Sequence, residues 1–336
     1  MTRLALTLLL AAALAASLPA TADARRILTI GVGEQDGAFF SDPRIEALGV
    51  KHVRLIADYD LADAGYYDEW LNAARARGLE VLVTFNQHSK KPKRLPSVRG
   101  YKRVVKKFLT AHPWIRTVST WNEANAGFQP TGRHPRRAAQ YYNALRSVCR
   151  SCDVLAADVL DRRGVYRWLR VFKRYARRPR LWGLHNYVDA NRGRRRPGRS
   201  STAQITHRMR GRVWLTETGG VVAFKRRNSK HFSYHYNEKR AARATRRLFR
   251  LAKVSKRITR VYIYHWQAPA EFATWDSGLV AANGRARPAL DIVRQEVNRQ
   301  RWLRLESPVP ELPEWPRLLP PAQGPAATPQ GPLSPR

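Results

Sequence analysis

Two short strings, Trp121-Asn122-Glu123-Ala124-Asn125 and Trp214-Leu215-Thr216-Glu217-Thr218-Gly219-Gly220, each set a glutamate at the end of an apolar, strand-like run. A pair of carboxyl groups can do what one cannot. The first protonates a departing glycosidic oxygen while the second meets the positive charge that develops at the anomeric carbon.

Such a pair needs a scaffold that delivers several strand ends to one mouth. From Arg26 to Trp302 the sequence repeats one rhythm: a β-branched or aromatic run, a polar turn, then a segment with helical spacing of apolar residues. The runs are Ile27 to Val32, His52 to Ala57, Glu80 to Asn86, Arg116 to Asn122, Val154 to Leu160, Leu181 to Tyr187, Val213 to Thr218 and Arg260 to Trp266. Between them lie helical patterns such as Asp68 to Arg77, with Trp70, Leu71 and Ala74 on one face, and Ser97 to Ala111, with Tyr101, Val104, Val105 and Phe108. The runs begin too far apart for hairpins and fit βα units. The expected fold is therefore an α/β (β/α)8 TIM barrel forming a single domain over residues 25–304. A doubly wound sheet is the competing architecture. Its nucleotide-binding form loses support because no Gly-x-Gly-x-x-Gly follows the first run.

A barrel of this kind binds ligands at the C-terminal ends of its strands, and those ends are unusually polar here. The second run closes near Arg54 and Asp58, the third at Asn86 with His88 beyond it, and the fourth at Asn122 and Glu123. The sixth closes at His185 and Tyr187, the seventh at Glu217 and the eighth at Trp266. Each alone has an ordinary structural explanation: a surface ion pair for Arg54, a hydrogen-bonded core histidine for His185, plain core for Trp266. Together they imply one site, because buried charges without partners cost several kcal/mol and packing alone would not collect them.

With these residues in view, the chain resembles clan A of the glycoside hydrolases, the retaining (β/α)8 barrels with catalytic glutamates after strands four and seven. Asn122-Glu123 is similar to the clan's strand-four Asn-Glu pair and Glu217 to its strand-seven glutamate. Arg54, His185, Tyr187 and Trp266 resemble its strand-two arginine, strand-six histidine and tyrosine, and strand-eight tryptophan. Ser277-Gly278-Leu279-Val280, Asn283-Gly284 and Arg287-Pro288-Ala289-Leu290 are similar to the clan's passage into the last helix, so the resemblance covers Ile27 to Val297. It implies a two-carboxylate double displacement, with Glu123 as acid then base and Glu217 as nucleophile. Arg54 and Tyr187 would hold Glu217, Asn122 would meet the sugar 2-hydroxyl, and Trp266 would lie under a sugar ring with Trp275 extending that platform. One departure stands out: several of these families place a histidine at the end of strand three, where this chain has the candidate substrate-binding residue Asn86 and His88 two residues on. No metal or cofactor is expected.

Residues 1–24 read as a signal peptide, with Arg3, an apolar run from Leu4 to Ala16 and the small-residue site Ala22-Asp23-Ala24. Export to an oxidising compartment favours a disulfide between Cys149 and Cys152 over a redox motif or a zinc site, because neither a thioredoxin-like setting nor a second Cys/His pair is present. Residues 305–336 collect Pro308, Pro310, Pro313, Pro316, Pro320 and Pro321, which predicts a disordered tail.

The net charge is +37. Basic loops at Lys90 to Arg94, Arg192 to Arg199 and Lys225 to Arg227 rim the expected mouth and suit an acidic oligo- or polysaccharide. Arg177, Arg178, Arg180, Arg208, Arg210, Lys256 and Arg257 load the opposite face as well, so adherence to the cell envelope is the preferred reading of the charge. Phe232, Tyr234 and Tyr236 could stack bases. No nucleic-acid-binding module accompanies them, and no specific nucleic acid is expected. The alternative to an enzyme is a secreted barrel that binds carbohydrate without useful catalysis.

Overall fold

The structure is a computed structural model that describes residues 27–306 apart from 63, 194–195, 226–230 and 271–273. The expected leader and the Pro-rich tail from Ser307 lie outside the described residues. The apolar runs form β1 (Thr29–Gly33), β2 (His52–Asp58), β3 (Glu80–Asn86), β4 (Thr117–Ser119), β5 (Asp153–Leu155), β6 (Asp158–Leu160), β7 (Leu181–His185) and β8 (Arg212–Thr218). They continue with β9 (Ala223–Lys225), β10 (Phe232–Tyr234), β11 (Ile258–Tyr264) and β12 (Trp275–Asp276). Nine of these pair in parallel in the order β5-β4-β3-β2-β1-β11-β8-β7-β6.

The two ends of that sheet are halves of one run. The single fifth strand expected over Val154 to Leu160 breaks at Ala156 and Ala157, with β5 pairing to β4 and β6 to β7. Ala156 N–H donates to the Leu181 carbonyl at 2.8 Å, and Gly183 N–H donates to the Ala157 carbonyl at 3.0 Å. The split strand thus closes the sheet into the expected eight-unit barrel.

Helices α1 (Pro43–Leu48), α2 (Asp68–Ala76), α3 (Val98–Ala111), α4 (Pro135–Val148), α5 (Val165–Tyr175), α6 (Tyr187–Arg192), α7 (Ser201–Arg208), α8 (Glu238–Ala252) and α9 (Pro288–Leu305) accompany the strands. α3 illustrates why they form. The Ser97 hydroxyl caps its first turn through Gly100 N–H, and Tyr101, Val104, Val105 and Phe108 make the buried stripe that faces the sheet. Inside the barrel, Leu82, Leu155, Leu181, Trp214 and Tyr262 form a separate apolar plug. Each stands two to four residues before a polar or site-facing position on its strand or strand pair, so the plug seals the N-terminal end of the barrel and leaves the C-terminal end for charge.

β9, β10 and β12 form a small antiparallel sheet after the barrel's seventh and eighth strands. The βα rhythm gave no sign of it. Cys149 and Cys152 are joined in a disulfide just before β5.

Candidate active site

Glu217 reaches the barrel mouth because β8 carries one residue more than its neighbours. Gly183 pairs with Trp214 and His185 with Glu217, while Val261 pairs with Leu215 and Ile263 with Thr218. Strict alternation would send residue 217 outward after Thr216; the bulge turns it inward. Its Oε2 accepts a hydrogen bond from Arg54 Nη1 at 2.7 Å and its Oε1 accepts one from the Tyr187 hydroxyl at 3.2 Å.

Glu123 leaves the fourth strand in a sharper way. Asn122 N–H still donates to the Phe85 carbonyl of β3, but Glu123 itself has φ of 45°. A side chain in that left-handed region costs about 1–2 kcal/mol, and such outliers concentrate where function holds them. The flanking bonds hold this one: Ala124 N–H donates to the Asp158 carbonyl at 2.8 Å and Ala126 N–H to the Glu123 carbonyl at 2.7 Å. The result aims the half-buried Glu123 side chain at His185, whose Nδ1 is 3.2 Å from Oε1. One carboxyl oxygen of Glu123, one of Glu217 and a ring nitrogen of His185 lie within 4.8 Å of one another.

Beneath the glutamates lies a fully buried charge network. Arg54, with none of its surface exposed, donates from Nη2 to Asn122 Oδ1 at 2.8 Å and to Asp158 Oδ2 at 3.1 Å, and from Nε to Thr84 Oγ1 at 3.2 Å. Ser119 donates to the other Asp158 oxygen at 2.9 Å. His185 Nε2 stands 3.5 Å from Arg54 Nη2, a close approach of two cations that Asp158 bridges from 3.7 Å.

Protonation follows from this geometry. Burial pulls the His185 pKa down, but the charge of Glu217 and the bonds to Asp158 and Glu123 outweigh it and hold the imidazolium to about 9. Burial likewise works against Arg54, and Glu217 and Asp158 more than offset it. Asp158 is pushed up by burial and brought below the usual carboxylate range by His185 and Arg54. The Tyr187 phenol is raised well above its ordinary value, by burial first and by Glu217 next.

Comparison with solved structures finds the same fold in other proteins. A GH5_18 protein from Streptomyces cattleya in complex with Manβ1-4GlcNAc matches with a TM-score of 0.59 at 18% identity, over 84% of this chain and 82% of that one. A GH5_18 protein from Bifidobacterium longum, also with Manβ1-4GlcNAc, matches at 0.59 and 15% identity, over 82% and 78%. A family 39 glycoside hydrolase from Bacteroides cellulosilyticus matches at 0.56 and 12%, over 81% and 64%. The chain has the fold of these glycoside-hydrolase barrels. No protein-family model matches it, and no curated protein does.

Within that fold the structure gathers Arg54, Asn122, Glu123, His185, Tyr187 and Glu217 into one hydrogen-bonded cluster. Trp275, on β12, packs against Tyr187 with the rings 4.9 Å apart and nearly perpendicular. Trp266 does not join them. It is completely buried, its Nε1 donates to Asp42 Oδ2 at 2.9 Å, and its backbone N–H is taken by Glu34. The reason is a frame shift of two: the eighth barrel strand is Ile258–Tyr264, not Arg260 to Trp266, so the chain has already turned away at 266. Tyr264 closes that strand on the site side. Burial and the charges of Glu217 and Glu34 raise its phenol well above the ordinary range.

Asn86 also departs from expectation. Its Nδ2 donates to Asp58 and its Oδ1 accepts from Gln129, with no hydrogen bond to either glutamate. His88 pairs with Asp60 at 3.0 Å on the rim. Of the basic rim, Lys93 donates to the Phe128 carbonyl and Arg192 to the Tyr234 hydroxyl, while Arg226 and Arg227 lie outside the described residues.

Sequence reasoning missed Asp158 and Tyr264. A lone acid inside the apolar run Val154 to Leu160 was the available signal for the first.

Glu123, His185 and Glu217 resemble a metal donor set, but the Arg54 guanidinium already sits on Glu217 at 2.7 Å and its Nη2 stands 3.5 Å from His185. A divalent ion there would face a buried, fixed guanidinium, so these residues do not fit one.

Proposed function

We propose that this protein is an exported retaining glycoside hydrolase acting on β-linked oligo- or polysaccharide. The observation that carries the reading is that a carboxyl oxygen of Glu123 and one of Glu217 approach to within 4.8 Å of each other at the same barrel mouth. Carboxyl groups about 5–5.5 Å apart suit retention, whereas inversion needs about 6.5–9.5 Å to admit a water.

Glu217 attacks the anomeric carbon while Glu123 gives its proton to the leaving oxygen, and a glycosyl-enzyme forms. Glu123 then takes a proton from water, which displaces Glu217 from the sugar with a second inversion. Arg54 and Tyr187 donate to both oxygens of Glu217 and fix its direction. Asn122 gives its amide oxygen to Arg54, which leaves its amide nitrogen to donate to the sugar 2-hydroxyl. Trp275 and Tyr264 supply walls for the ring. Manβ1-4GlcNAc bound in two barrels of the same fold supports a β-linked substrate. The leader sequence and the disulfide support export.

The test uses an aryl β-glycoside panel with proton NMR of the first-formed anomer, followed by Glu217→Gln. Retention in the native protein and loss of turnover in the folded variant are the expected results. An inverted product, or near-native turnover by E217Q, would overturn the assignment, and saccharide binding without any turnover would favour a non-catalytic carbohydrate-binding barrel.

A further inference from the structure

At the opposite end of the barrel from the glutamates, where β5, β7 and β8 begin, lies a groove of about 1040 Å3 lined by Arg146, Arg150, Arg177, Arg178, Arg180 and Arg212. Asp153 is the one carboxylate in that lining, and Arg212 already takes it at 3.1 Å. All six arginines are exposed. Like charges gathered this way repel one another, which works against folding, so the groove is best explained by an anionic occupant.

Its lips are braced. On one side Asn143 accepts Arg177 N–H at 2.8 Å and donates to the Tyr175 carbonyl at 2.9 Å, and Arg146 donates to the Arg177 carbonyl at 2.9 Å. Arg178 follows with φ of 47°, a left-handed conformation a non-glycine residue seldom adopts. On the other side the Cys149–Cys152 disulfide closes the turn that carries Arg150. The guanidinium groups therefore project from fixed backbone, which lowers the ordering cost of binding. Planar guanidinium forks match carboxylate and phosphate oxygens two at a time.

We propose that this groove is a second binding site, for a linear anionic polysaccharide, engaging carboxylate or phosphodiester groups along its chain. Because it opens at the end of the barrel away from the glutamates, a polymer held there leaves the catalytic mouth free.

Binding of the full mature chain to polygalacturonate, to a phosphomannan and to neutral dextran, measured by calorimetry across a salt series, tests this. The variant R150Q/R177Q/R180Q is compared with R243Q/R246Q/R250Q, which removes the same charge from exposed positions on α8. The groove variant should weaken binding to one or both anionic polymers at least about tenfold and flatten the salt slope by about two to three, one per lost contact. The α8 variant should stay within about twofold, and dextran should bind none of them. Which polymer responds identifies the group recognised. Equal weakening by both variants, native-like binding by the groove variant, or duplex DNA binding as tightly and as groove-dependently as either polysaccharide would overturn the proposal. Should the glutamine triple fail to fold, R150K/R177K/R180K keeps the charge, loses the forks and is expected to weaken binding in the same direction.

Discussion

His185 joins the two carboxylates of the mouth to the buried Arg54–Asp158 pair, and its protonation ties their energies together. Its folded pKa of about 9 lies above its ordinary value of 6.5. The sign is that of a group gaining partners: its contribution is fully present below pH 6.5 and is lost as pH rises through 9. For a group with no exposed surface that contribution is at most on the order of 3 kcal/mol. Urea unfolding of the native protein and of H185N across pH 6 to 10 should give curves that converge as pH rises; parallel curves would remove His185 from the network. The neighbouring aromatic residues separate equally cleanly. Trp266→Phe should cost about 1–3 kcal/mol of stability through the lost Asp42 bond and packing, with KM unchanged. Tyr264→Ala should raise KM or lower kcat by about tenfold or more, beyond its cost to stability. The opposite pattern would restore Trp266 to the site.

At the level of strands and helices, the barrel was legible because alternating runs and helical stripes are set by hydrophobic burial, which sequence displays directly. What was not legible depends on where single residues break the rule. The bulge that turns Glu217 inward is a mismatch in pairing between β7, β8 and β11, visible only when the three strands are side by side. The end of β11 lies two residues before the expected one because Trp266 continues the aromatic run across His265, so Tyr264 and Trp266 exchange roles. The split of the fifth strand hid Asp158 in the same way, although its space is written into a neighbour: a Cβ on Gly183 would lie 1.8 Å from Asp158 Oδ1 and 2.7 Å from Thr216 Oγ1. Gly183→Ala should therefore displace the Asp158 carboxylate from between Arg54 and His185. Overpacking costs typically 1–3 kcal/mol, and here the catalytic rate should fall further than the melting temperature suggests. A variant with native kcat would show that Asp158 does not position Arg54.

For the whole molecule, the +37 charge places basic residues at both ends of the barrel, and salt can tell their proposed roles apart. At the mouth, Lys90 and Lys93 on their loop and Arg192 at the end of α6 lie beside glutamates partnered by Arg54 and His185. An approaching acidic glycan therefore meets a net positive field, which should speed its encounter at low ionic strength and lose reach as the Debye length shrinks from about 30 Å at 0.01 M to 10 Å at 0.1 M. We expect kcat/KM for an acidic oligosaccharide to fall several-fold over that range, while a neutral aryl glycoside stays flat. Because the arginine groove opens at the other end of the barrel, R150Q/R177Q/R180Q should leave both profiles unchanged for short substrates. With a long anionic polymer, whose local concentration the groove would raise, the same variant should lose rate. A flat response to salt with the acidic oligosaccharide would assign the charge to attachment and leave the mouth to select its sugar by shape and hydrogen bonds alone.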